Sequence, residues 1–165
     1  MNRLFLLRHA RAQWAEPGAR DYDRPLAPSG HDDAARLGAM MAAVGHRPDT
    51  VLCSGAKRAR QTWAAVAQHL LVDDVRFIDD LYNSDAGGYL ELARQSDAGQ
   101  SLLLVGHNPM MEDLAMALSQ SGDASAMAAV AHGFPTCGLA VLRFSTPLSQ
   151  IRPDDGYLEA FITPE

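Results

Sequence analysis

Cysteine is scarce here. The chain has two in 165 residues, Cys53 and Cys137, far apart and in no CxxC arrangement, which excludes a zinc ribbon and a dense disulfide framework. Both read as small core residues. Basic charge is also short: Lys and Arg total 14 against 20 for Asp and Glu, a formal net charge of −6. Such a chain is no general binder of nucleic acid or of an anionic membrane surface, so any basic site must be local. Long apolar runs are missing as well. The N-terminal MNRLFLLRHA offers one short apolar stretch, Leu4–Leu7, too brief for the hydrophobic region of a signal peptide or for a membrane span. A cytoplasmic protein is the expectation. HxH and HExxH spacings are absent, so neither a metal site nor a cofactor is expected. No internal repeat or linker interrupts the chain, and residues 1–165 are expected to form a single domain.

What is present is an alternation of strand and helix signals. Apolar runs of strand length occur at Leu4–Leu7, Thr50–Cys53, Val75–Ile78, Ser101–Val105, Gly138–Phe144 and Tyr157–Ile162. Between them lie helical patterns. Ser29 with Asp32 resembles a capping box, Leu37, Met41 and Val44 share one face, and Gly45 closes that helix. A second helix begins near Ser54 or Gly55 with a stripe of Ala59, Trp63, Val66, Ala67 and Leu70. A third lies within Gly88–Gln95. In the fourth, Asn108 can cap, Pro109 suits the first helical position and Glu112 the first turn. The Ser- and Ala-rich segment Ser119–Gly133 reads as a weak helix or a flexible cover. Strands alternating with helices imply a three-layer α/β/α fold with a mostly parallel central sheet of about six strands.

In such sheets ligands bind beyond the carboxyl ends of the strands. Arg8 and His9 stand at one such end, Ser54 and the following AKRARQT at another, and His107 at a third. Two histidines and two arginines, Arg8 and Arg58, thus converge on one edge. That set suits a phosphoryl group, because Arg presents a planar fork of donors and a neutral imidazole can attack phosphorus.

The motifs RH after the first strand, S-x-x-x-R-A-x-Q-T after the second and GHNP after a later one resemble the histidine phosphatase, or phosphoglycerate-mutase-like, superfamily. The resemblance runs over nearly the whole chain and implies that fold. It also implies that His9 is the phosphorylated nucleophile and that Arg8, Arg58 and His107 are phosphate-pocket residues. The usual Arg-His-Gly is Arg8-His9-Ala10 here, a change that adds only a methyl. DRPLAPSG, GHNP and FPTCGLAVLRF look most like the SixA-type phosphohistidine phosphatases and make Arg24 a further phosphate-binding candidate. Arg60, Gln61 and Thr62 are expected to support the helix; His31, His46, His69 and His132 match no motif.

The expected chemistry is two in-line displacements without a metal: His9 takes the phosphoryl group, then water hydrolyses the phosphohistidine. Relatives that cleave phosphate esters carry a Glu in a Leu-x-Glu setting to protonate the leaving alkoxide. Here the stretch is DDLYNSD, which puts Asn83 at that place, with Asp80 and Asp85 as the nearby acids that could substitute. The expected partner is a phosphorylated substrate, foremost a phosphohistidine-bearing protein. The alternatives are a phosphomonoesterase for small phosphorylated metabolites and a non-catalytic phosphate-binding interaction module.

Overall fold

A computed structural model describes residues 1–164. The elements follow in the order β1 (Asn2–Arg8), α1 (Pro28–Val44), β2 (Thr50–Cys53), α2 (Lys57–Val66), β3 (Asp74–Phe77), α3 (Asp80–Asn83), α4 (Ala86–Arg94), β4 (Ser101–Gly106), α5 (Met110–Leu118), β5 (Ser119–Gly122), α6 (Ala124–Ala131), β6 (Leu139–Phe144) and β7 (Gly156–Ile162). The strands make one sheet in the order β3-β2-β4-β1-β6-β7-β5. β1 to β4 are mutually parallel, β6 runs against both β1 and β7, and β5 pairs parallel with β7.

Alternation along β1 explains the three layers. Leu4 and Leu6 face α4, α5 and α6 in one core; Phe5 and Leu7 face α1 and α2 in the other. All four are at most 2% exposed, and burying each such side chain is worth about 1.5–3 kcal/mol. A polar residue anywhere in Leu4–Leu7 would therefore disrupt one core or the other. Among the described residues, no helix is long and apolar enough to cross a membrane.

Four expectations need correction. The sheet has a seventh strand, β5, whose sequence SQSG carries no apolar signal because it is a short, largely exposed edge. The capping box at Ser29 does not form: α1 starts two residues earlier, at Pro28 after the cap residue Ala27, with no side-chain cap. Proline's fixed φ suits a first helical turn. At α5 the cap position is Pro109 rather than Asn108, although Asn108 Oδ1 still accepts the Glu112 N–H at 3.1 Å. Ser119–Gly133 is neither a featureless cover nor one weak helix; it holds β5 and α6, the latter capped by Asp123 through the Ala126 N–H. Gly45, at φ 77°, closes α1.

Candidate active site

The strand order puts β4 between β2 and β1, so the residues that follow these three strands lie side by side. The His9 N–H donates to the Gly106 carbonyl at 3.0 Å and the Ser54 N–H to the Val105 carbonyl at 2.9 Å. The ladder thus fixes where His9, Ser54 and His107 emerge. The rings of His9 and His107 are 5.2 Å apart, centroid to centroid. His9 Nδ1 lies 2.7 Å from the Ala10 carbonyl, which can only accept, so Nδ1 carries the proton and Nε2 keeps its lone pair. The Arg58 Nε–H points at that Nε2 from 3.3 Å.

Both imidazoles are held neutral. Burial pushes His9 down to about 4, helped by the fields of Arg58, Arg8 and Arg24 and opposed by the hydrogen bond to Ala10. His107 is pushed down to about 3, first by burial, then by His9 and Arg58. A neutral His9 with an unprotonated Nε2 is the protonation state a nucleophile needs.

Each of these side chains has a defined support. Arg58 is buried in the first turns of α2; its Nη1 and Nη2 donate to the backbone oxygen and carboxylate of Asp21, at 2.8 and 3.0 Å. Thr62 bridges α2 to the loop beyond β1, donating to the Arg58 carbonyl at 2.7 Å and accepting the Ala10 N–H at 2.9 Å. His107 Nε2 meets the fully buried Ser54 hydroxyl at 2.9 Å, and its N–H donates to the Tyr89 hydroxyl at 3.2 Å. A side chain at Gly106 would bring its Cβ to 2.7 Å from that hydroxyl, so the glycine of GHNP makes room for the tyrosine. Arg8 Nη1 donates to the Phe134 carbonyl at 2.8 Å, while its buried Nε has no partner. Arg24 donates to the Gln13 carbonyl at 2.9 Å and pairs with Asp21 at 3.0 Å.

The sequence profile of the histidine phosphatase superfamily (branch 1) matches residues 4–100. The chain belongs to that family. Among solved structures, the crystal structure of a candidate phosphohistidine phosphatase SixA from Agrobacterium tumefaciens is 39% identical, with a TM-score of 0.85 over 99% of this chain and 98% of that one. A second SixA candidate, from Nakamurella multipartitia, is 31% identical, with a TM-score of 0.80 over 99% and 96%. An uncharacterised protein of Mycobacterium tuberculosis (strain H37Rv) is 38% identical over 162 residues, 96% of this chain and 99% of the relative. The shared architecture is the phosphoglycerate-mutase-like α/β fold.

In this histidine phosphatase domain, Arg8, His9, Arg58 and His107 gather at one edge of the sheet, and Arg24 reaches the group through Asp21. Sequence reasoning passed over Asp21, Tyr82 and Tyr89. The Asp21 carboxylate takes Arg24 on Oδ1, and Arg58 and the Tyr82 hydroxyl on Oδ2. Its pKa falls to about 2, chiefly through the Tyr82 hydroxyl, then through Arg24 and Arg58, against the cost of burial. The one sequence signal for Asp21 is its i,i+3 spacing to Arg24.

Of the two substitute acids, Asp85 is spent as the cap of α4, accepting the Gly88 N–H at 2.8 Å. Asp80 is exposed in the first turn of α3. Gln61 accepts the Leu26 N–H at 2.7 Å and Arg60 donates to the Gly55 carbonyl at 3.0 Å, so both brace α2. His46 packs against Phe5, far from this edge. Arg8 also lines an open cleft of about 580 Å³ with Asn108, Glu112, His132, Phe134 and Phe161. Among the described residues no group of three or more His, Cys, Asp or Glu could hold a metal ion.

Proposed function

We propose that this chain is a phosphatase that works through a phosphohistidine on His9, needs no metal, and removes phosphate from phosphohistidine on a protein. The observation that carries the catalytic half is the lone pair of His9 Nε2, facing Arg58 Nε at 3.3 Å with its ring unprotonated well below neutral pH. His9 Nε2 attacks phosphorus, and the guanidinium groups of Arg8, Arg24 and Arg58 balance the charge on the equatorial oxygens, with the neutral His107 ring beside them. These arginines give the charge neutralisation that a metal would supply. Water then attacks the phosphorylated His9; the new P–O bond forms, the P–N bond breaks, and the electron pair returns to Nε2.

The substrate half is supported by the leaving-group side. An alcohol, with a pKa near ~16, departs poorly without a proton, and general acid catalysis is typically worth about 10²–10⁴-fold. Asn83 cannot supply that proton, Asp85 is held as a helix cap, Asp80 is a solvated carboxylate in the first turn of α3, and Asp21 is ionised above about pH 2. An imidazole titrates near ~6.5 and leaves as a neutral ring without such help. The names of the two SixA candidates agree with this choice. The proposal takes residues 1–165 as one such domain working in the cytoplasm, where the free, buried Cys53 and Cys137 stay reduced.

The test is a side-by-side measurement of kcat/KM in the presence of EDTA. The expected order is phosphohistidine, then p-nitrophenyl phosphate with its activated phenol, then alkyl phosphates such as sugar phosphates. A sugar or nucleoside phosphate turned over faster than phosphohistidine would overturn the substrate, and full loss of activity in EDTA would overturn the metal-free chemistry.

A further inference from the structure

Tyr82 and Asp21 border the arginines and His107, and beyond Asp21's hold on Arg24 and Arg58 the two displacements give neither of them a task. Tyr82 projects from α3, a single helical turn anchored by the fully buried Leu81. Its ring meets His107 edge to face at 5.5 Å, and the Arg58 guanidinium carbon lies 5.9 Å from its centroid. Tyr22 packs edge-on against it at 5.1 Å and is itself tied to Asp79 through its hydroxyl. The Tyr82 hydroxyl donates to Asp21 at 2.8 Å. The ring is therefore packed between His107, Arg58 and Tyr22 and held at its tip, yet the residue stays partly exposed. An aromatic ring fixed in place beside His107 and Arg58 offers its exposed part to a flat guest at little ordering cost.

Asp21 is an unexpected neighbour for a phosphate pocket, since a carboxylate repels the anion the pocket is to hold. Its lone pairs suggest a purpose. Oδ2 already accepts from Arg58 and Tyr82, whereas Oδ1 accepts from Arg24 alone among the described residues and has room for one more N–H. We propose that Tyr82 and Asp21 form the leaving-group subsite, and that this subsite selects a flat ring bearing an N–H, the imidazole of the phosphohistidine substrate. The inference rests on the phosphohistidine reading above and adds the residues that enforce it.

A phosphoimidazole takes its proton on the ring nitrogen remote from phosphorus. Asp21 Oδ1 accepts that N–H and stabilises the cationic ring, and the face of Tyr82 attracts the same charge. His9 Nε2 forms its bond to phosphorus as the substrate P–N bond breaks. The electron pair stays on the departing nitrogen, and the ring leaves neutral with its remote proton in place. An alkyl phosphate has neither the ring nor the N–H and gains nothing from either group.

The experiment compares phosphoimidazole, which has the ring, with phosphoramidate, which has a P–N bond and no ring, on the full chain. Tyr82→Leu is expected to lower the ratio of their kcat/KM values by about ten-fold, the scale of one aromatic contact. Tyr82→Phe, which keeps the face, should hold that ratio within about three-fold of the wild-type value. Asp21→Asn should also lower the ratio and move the phosphoimidazole optimum to lower pH, because the cationic ring has lost its counter-charge. Equal losses on both substrates in Tyr82→Leu, or a ratio that does not move, would overturn the subsite. Wild-type protein that prefers phosphoimidazole while Tyr82→Leu leaves the ratio unchanged overturns the subsite alone; wild-type protein that prefers sugar phosphates to both P–N compounds overturns the substrate reading beneath it.

Discussion

His9, Ser54 and His107 stand on strand ends joined by backbone hydrogen bonds, whereas Asp21, Tyr22 and Tyr82 stand on single turns joined through side chains. The first group is the floor of the site and the second its rim. Floor residues inherit their positions from the sheet: slipping β1 by one residue would exchange its two buried faces, so the fold itself holds His9 in register. Rim residues depend on one another. The Arg58 side chain is 8% exposed and that of its partner Asp21 is 52% exposed, so the ion pair that links floor to rim is half in water. The floor can therefore be rigid while the rim is free to vary with the leaving group.

That contrast can be broken most forcefully at Arg58. Arg58→Ala is expected to lower the rate about 10²–10³-fold, the loss that follows removal of one transition-state donor. Arg58→Lys should recover little of it, because an ammonium cannot reach His9 and Asp21 together as the planar fork does. Activity near wild type in the lysine variant would mean that the fork geometry is not used.

The second effect is electrostatic. His9 is expected to titrate at about 4 rather than near the ordinary imidazole value. The sign follows from burial: the folded state disfavours the charged ring, so His9 stays neutral and nucleophilic above about pH 4 and is lost as a nucleophile below it. An NMR titration of the ring protons measures this directly, and a midpoint near ~6.5 would show that the floor is wetter than its packing implies.

Stability separates floor from rim more finely. Thr62→Val removes the acceptor for the buried Ala10 N–H and is expected to cost about 1–3 kcal/mol, a fall of several degrees in Tm. Asp21→Ala removes two partly exposed ion pairs, to Arg24 and Arg58, and the expected cost is about 1 kcal/mol, below that of Thr62→Val. If calorimetry found the two costs equal, the rim would be as structural as the floor and the division would fail.

The same division explains what the sequence revealed. Arg8, His9 and His107 were legible because an apolar run marks a buried strand, and the residue that ends it stands at the sheet's edge. Arg58 was legible because α2 follows β2 after only a few residues. Asp21 was not, since its partners Arg58 and Tyr82 lie 37 and 61 residues away and no local pattern encodes a contact at that range. Tyr82 sat in view within DDLYNSD, but a tyrosine in a short polar stretch has no periodicity that says which way it faces. β5 escaped for the opposite reason: SQSG pairs with β7 through backbone groups that any sequence possesses. Asp85, considered as an acid, turned out to be a helix cap, a role its place just before the AGGYLEL helix already allowed.

Phosphate is expected to pass through His9. The direct measurement is to mix the protein with isotopically labelled substrate, denature it within milliseconds at alkaline pH, where an N–P bond survives, and map the label by mass spectrometry. The expected result is one phosphoryl group on His9, absent from His9→Ala protein that keeps its fold; label on another residue, or turnover by His9→Ala at the wild-type rate, would contradict the account.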